Sequence, residues 1–307
     1  MLSSPIDNKK VKAFYEKIRP KVSNYASLGI CEEDLRRLLI GKPLEIKGLN
    51  DELMKTIIPG FKQNVLDKYL KQDKKKRVAF RNYHNKYEQV KKIFNYNNII
   101  CKSYFLANLL EINTCIYCNR NYVKTIGDDN DKINRPQYDH FYSQSKYPLL
   151  ALSFYNLIPV CASCNTKKNN KTIDLTTHLH PYIESDEEKK FNFSYRKVSL
   201  LENNVKIDVA TKDPDAKEKI KNSIADLNLV KIYNANSEME LRDLLNLRYK
   251  YSENYLDILM NKTFTKIKIS KNEIYRMVFG IEIEEENFHK RPFSKFKRDI
   301  IEELLKK

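Results

Sequence analysis

Four of the six cysteines stand in two C-x-x-C pairs, Cys115 and Cys118 in "CIYCNRNYV" and Cys161 and Cys164 in "CASCNTKKNNK". At that spacing one tight turn presents two sulfurs to one ion, and two such turns complete the thiolate tetrahedron that zinc prefers. A four-thiolate site leaves no position for water. Its zinc therefore holds structure, and the binding free energy becomes folding free energy. Cys31 and Cys101 each stand alone in an apolar helical pattern and read as ordinary packing residues.

Between the two pairs lies "RPQYDHFYSQSKYP", with Asp139 and His140 side by side in a polar stretch. A histidine beside an acid in such surroundings can titrate, reach solvent and act as a general base near neutral pH. Asn156 is the polar residue in the apolar run "SFYNLIPVC", and Asn165 follows Cys164 directly. Asn165 lies four residues after Cys161, so on a helix the two share a face, and whatever fixes Cys161 also fixes Asn165. Lys167, Lys168 and Lys171 continue that helix and Lys146 lies in the intervening segment. Together they offer a phosphate grip, against the plainer reading of a solvated face in a lysine-rich chain. His178 and His180, in "THLHPY", read as capping or packing residues, with His180 the better placed of the two to reach the cleft. His84 and His289 have no context that favours chemistry.

The rest of the composition narrows the class. The 56 Lys and Arg exceed the 40 Asp and Glu by a formal charge of +16, which attracts polyanions, nucleic acid first among them. No G-x-x-x-x-G-K-[ST] or G-x-G-x-x-G occurs, so the usual cradle for a nucleotide phosphate is missing. The first residues, "MLSSPIDNKKVKAFYEK", carry no apolar signal core, and the apolar run at 147–161 is short and broken by Pro148, Asn156 and Pro159. The expectation is a cytoplasmic protein without a membrane span. In that compartment paired cysteines hold metal more often than they form disulfides.

The elements that must position these residues follow from periodicity. Residues 1–112 show apolar positions at three-to-four spacing and read as helices, with the basic cluster Lys74, Lys75, Lys76, Arg77 and Arg81 on a solvated face. "FNFSYRKVSLL" and "NVKIDVA" alternate around Asn203-Asn204, as a hairpin with its turn there would. Helical periodicity returns from "PDAKEKIKNSIADLNL" to the C-terminus. The class is α+β, divided as a helical region at 1–100, a central unit at 101–182, and a hairpin plus helices at 183–307.

The order C-x-x-C, D-H, N, C-x-x-C-N-x-x-K resembles the HNH endonucleases with a ββα-metal finger, over residues 112–182. The resemblance implies His140 as general base, Asp139 and Asn165 as oxygen ligands of a catalytic Mg2+ or Mn2+, and Asn156 as the residue that holds the His140 segment. One letter departs: the third motif position, often His, is Asn165 here, which bears on the choice of metal. Within the family the likeness is to HNH nucleases of bacterial anti-phage defence systems such as the Septu type, which work beside an ATPase. The implied function is hydrolysis of DNA phosphodiester bonds. Two alternatives stand beside it: a non-catalytic zinc-knuckle module that binds nucleic acid or protein, and an HNH-fold ribonuclease toxin.

Overall fold

A computed structural model of the chain describes residues 6–73, 81–168, 171, 173–183, 185–198, 203–250, 258, 262–263 and 270–305. The basic cluster Lys74, Lys75, Lys76 and Arg77 lies outside the described residues. Among the described residues the N-terminal periodicity becomes seven helices: α1 (Asn8–Ile18), α2 (Glu32–Ile40), α3 (Pro43–Ile57), α4 (Gln63–Leu70), α5 (Arg81–Ile93), α6 (Tyr96–Ile99) and α7 (Phe105–Leu110). Each long one buries a single stripe, such as Val11, Phe14 and Ile18 on α1 or Leu35, Leu38 and Leu39 on α2. At the start of α1 the Asp7 carboxylate caps the helix by accepting from the Lys9 N–H. Cys31, expected on an apolar face, is instead exposed at the N-cap of α2, where its sulfur accepts from the Asp34 N–H.

After a small exposed ribbon, β1 (Ile126–Gly127) and β2 (Lys132–Asn134), comes the central finger. Strand β3 (Gln137–His140) pairs antiparallel with β4 (Leu157–Val160), and α8 (Ala162–Lys168) follows at once. The register sets Asp139 opposite Ile158 and His140 opposite Leu157. Between the strands, residues 148–156 form two short 3-10 turns that are wholly buried, so the apolar run read from the sequence is core. One continuous apolar cluster runs from Val11 on α1 through the N-terminal helices into both finger strands and the cysteines. Phe14 meets Phe154 edge to face at 5.1 Å, which ties the first helix to the segment before β4.

The two strands pair as β5 (Phe191–Lys197) and β6 (Asn203–Val209), but Asn203-Asn204 is not their turn. Asn203 and Asn204 are strand residues opposite Lys197 and Arg196, so the side-chain alternation of β6 set the pairing and the Asn-Asn turn signal did not. Helices α9 (Pro214–Asp226), α10 (Leu229–Asn234), α11 (Arg242–Lys250), α12 (Lys271–Phe279) and α13 (Ser294–Leu305) complete the described chain. Phe193, Tyr233, Phe293 and Phe296 form the aromatic centre of a second core. Among the described residues no helix is long and apolar enough to cross a membrane.

The packing of α1 on the finger predicts that Phe14→Ala, at a site with no solvent exposure, lowers stability by about 3–5 kcal/mol. Chemical denaturation checks it; a loss near zero would mean that the helical region does not support the finger.

Candidate active site

The first cysteine turn is built by backbone geometry. Asn119 adopts a left-handed conformation (φ 47°) and its N–H donates to the Cys115 carbonyl at 2.7 Å, which closes the loop around both sulfurs. The C-terminal region clamps the same turn from outside. Tyr233 OH donates to the Cys118 carbonyl at 2.7 Å, and the Asn119 amide donates to the carbonyls of Phe288 and Arg291. The second pair opens α8. The four sulfurs are buried and lie within 4.8 Å of one another. A tetrahedron with Zn–S bonds of about 2.3 Å has its sulfurs about 3.8 Å apart, so the cluster fits zinc in donor type and in spacing. Burial pushes the Cys115 thiol well above its ordinary range, and a cation is what makes four adjacent thiolates tolerable there.

Asp139 is buried on β3, and its Oδ2 receives two strong donors: Tyr117 OH at 2.5 Å and Lys168 Nζ at 2.5 Å. Lys168 also donates to the carbonyls of His140 and Phe141. This corrects the expectation of a solvent-facing Lys168. The residue is four past Cys164 and seven past Cys161, so it shares their inward face. Burial pushes the Asp139 carboxyl up and the Lys168 ammonium down, and each charge is the other's main compensation. Removing one member of such a pair costs about 3–5 kcal/mol. Asp139 Oδ1 carries no hydrogen bond among the described residues.

His140 is half-buried, edge-on to Tyr96, with Nε2 3.0 Å from the Ala151 carbonyl. A carbonyl can only accept, so Nε2 carries the proton and Nδ1 keeps its lone pair. Burial lowers the imidazole to about 4, which leaves it neutral at physiological pH. Asn156 is fully buried and ties the ends of this arrangement together. Its Oδ1 accepts from the Tyr142 N–H at 2.7 Å, and its Nδ2 donates to the carbonyls of Tyr142 and Leu150 at 3.0 Å. Leu150 precedes the residue that fixes His140, and Tyr142 follows His140 by two.

Asp139, His140 and Asn165 line one cleft of about 450 Å3, together with Tyr96, Lys168 and Lys171. Asn165 donates through Nδ2 to Gln137 Oε1 at 2.9 Å, which leaves its Oδ1 as a free acceptor. A carboxylate oxygen and an amide oxygen in one polar cleft suit a hard divalent cation. Of the other lysines, Lys167 is exposed, Lys146 pairs with Asp67 at 3.4 Å, and Lys171 pairs with Asp226 at 2.6 Å. His180, read as a capping or packing residue, is buried behind the cleft with its ring 4.4 Å from Phe141. His178 pairs with Asp226. Tyr117 and Tyr96 were not singled out by their sequence context. The Tyr117 contact crosses 22 residues and exists only because the first cysteine turn packs on β3.

Residues 115–171 match the family model described as HNH endonuclease. They form an HNH endonuclease domain. Over 103 residues, 32% of this chain, the sequence is 30% identical to the Septu protein PtuB of Bacillus thuringiensis. The chain spans 37% of the length of that relative. No solved structure matches the chain. The HNH domain thus occupies the β3–β4–α8 finger and its four-cysteine cluster, with β3 carrying Asp139 and His140 and α8 carrying Asn165.

Two outcomes test this geometry. Cys164→Ser is expected to lose zinc and to lower the melting temperature sharply; one zinc per chain with unchanged melting, by atomic absorption and calorimetry, would rule out the cage. His180 is held down to about 3 by burial, below its unfolded value near about 6.5. Its folded pKa is depressed, so the stability it confers is complete above about pH 6.5 and declines as pH falls towards 3. By pH 5 the loss is about 2 kcal/mol. His180→Gln, whose amide does not titrate, is expected to flatten melting temperature against pH between 7 and 5; equal slopes would show that the ring is not buried neutral.

Proposed function

We propose that the chain is an HNH endonuclease that hydrolyses phosphodiester bonds in DNA, with Mg2+ or Mn2+ held by Asp139 and Asn165. The observation that carries this reading is the convergence on one cleft of a neutral imidazole, a carboxylate with an uncommitted oxygen and a side-chain amide. His140, fixed through Nε2, presents Nδ1 to a water and takes its proton as the oxygen attacks phosphorus. The P–O3′ bond breaks on the opposite side, and the departing O3′ takes a proton from solvent. Tyr117 and Lys168 hold Asp139 Oδ2, so the carboxylate stays oriented while Oδ1 remains available. Asn156 keeps the His140 segment from drifting, which matters because misplacement of about 1 Å can cost a hundredfold in rate. When bound, the divalent cation would supply charge stabilisation at the phosphoryl oxygens and at the leaving O3′. Lys146, Lys167 and Lys171 are proposed to meet the substrate's phosphates, with Lys168 reassigned to Asp139.

The resemblance to Septu-type nucleases, together with the PtuB similarity, supports a place in a bacterial anti-phage system. We extend that reading to a cytoplasmic effector that works beside an ATPase. A purely structural zinc-knuckle module would need none of the bonds that orient His140 and Asp139.

Purified protein incubated with supercoiled plasmid is expected to nick it with Mg2+ or Mn2+ and not with EDTA. His140→Ala should lower the rate by two orders of magnitude or more, about the yield of general-base catalysis, with melting and zinc content kept. Nicking by the variant at the wild-type rate would remove His140 from the mechanism. Cleavage of RNA with DNA left intact would move the substrate assignment to RNA.

A further inference from the structure

The active cleft does not end at the finger. It shares Asn97, Ser143, Gln144, Ser145 and Lys171 with a second cavity of about 690 Å3. That cavity is walled by the end of α4, through Asp67 and Lys71, and by α5, through Tyr87 and Lys91, with Lys146 at the junction. The α4 and α5 residues lie outside the matched HNH segment. Tyr87 fixes the two parts relative to one another: its buried ring belongs to α5, and its OH donates to the Ser145 carbonyl at 2.8 Å.

The lining is predominantly positive. Four lysines, Lys71, Lys91, Lys146 and Lys171, face one carboxylate, Asp67. Lys71 is exposed and carries no ion pair among the described residues. Lys91 is exposed, 3.0 Å from Glu88 and 5.4 Å above the Tyr87 ring. Lys146 pairs with Asp67 and Lys171 with Asp226. Ion pairs at partly exposed positions are worth at most about 1 kcal/mol, so a phosphate can take these ammonium groups from their present partners. Leu70 and the Tyr87 ring add apolar wall, and the hydroxyl and amide groups of Asn97, Ser143, Gln144 and Ser145 suit sugar and phosphate oxygens.

We propose that this groove is a backbone track for DNA. A strand whose scissile phosphate lies at His140 continues over Ser143–Ser145 onto α4 and α5, where its phosphates meet Lys71, Lys91 and Lys146. The placement of the scissile phosphate rests on the function proposed above; the track itself is a statement about binding. On this account the N-terminal helices extend the footprint of the nuclease in a defined direction, and they contact backbone without reading bases.

The test is binding without cleavage. A fluorescently labelled DNA duplex, and the same strand alone, are titrated in EDTA at several salt concentrations. The proteins are the wild type, Lys71→Gln/Lys91→Gln, and a control of equal charge change on α1, Lys9→Gln/Lys12→Gln. The groove variant is expected to weaken binding about tenfold and to reduce the slope of log affinity against log salt by about 2, while the control stays near wild type. An unchanged melting temperature certifies the fold of each variant. Affinity and slope equal to wild type, or a loss no larger than the control's, would overturn the track. Failure of the wild type to nick plasmid would count against the nuclease reading alone, because the binding comparison does not depend on turnover.

Discussion

The thiolate cluster is the constraint from which the rest follows. The HNH finger is small: two four-residue strands and a seven-residue helix. Elements that short do not hold side chains in register by themselves, since a two-stranded ribbon and an isolated short helix are both marginal in water. Joining the turn at Cys115–Cys118 to the helix at Cys161–Cys164 fixes three things at once. The helix is set against β3, Tyr117 is delivered to Asp139 from the first turn, and Lys168 is delivered to the same oxygen from the end of the helix. The carboxylate is held by both halves of the cage, so its position reports whether the cage is closed.

Around that centre the protein spends buried polar interactions on orientation. Asn156 uses three side-chain hydrogen bonds on two backbone segments, and the Ala151 carbonyl selects one tautomer of His140. Each buried donor or acceptor would cost about 1–3 kcal/mol if left unmade, so the network admits few alternative arrangements. The flanks complete it from outside. The N-terminal helices pack Phe14 onto the segment before β4, and the C-terminal region grips Asn119 and Cys118.

Much of the candidate site was legible in sequence, in that Asp139, His140 and Asn165 do line one cleft, because its signals are local. C-x-x-C spacing, the Asp-His pair and an amide directly after the last cysteine specify chemistry over a few residues. What escaped depends on tertiary packing. Lys168 was read as part of a phosphate grip on an outward-facing helix surface, although its spacing from Cys161 and Cys164 turns it inward. Tyr117 carried no signal, because its partner lies on another element. His180, read as a capping or packing residue, does pack in the core on Phe141 and Tyr182, but those partners could not be named from the sequence. Helices in both flanks were legible from periodicity, but periodicity shows which face is buried and not what buries it. The single continuous core of the N-terminal helices and the finger is therefore a finding of the structure.

Coupling between the cage and the reactive cleft is the central claim, and a metal titration addresses it without turnover. Calorimetric titration of Mn2+ into zinc-replete protein and into protein stripped of zinc compares the two states directly. The account predicts Mn2+ binding in the zinc-replete protein that is abolished by Asp139→Ala, and no measurable binding once zinc is removed. Equal Mn2+ affinity with and without zinc would contradict it, because Asp139 and Asn165 would then converge without the thiolate cluster.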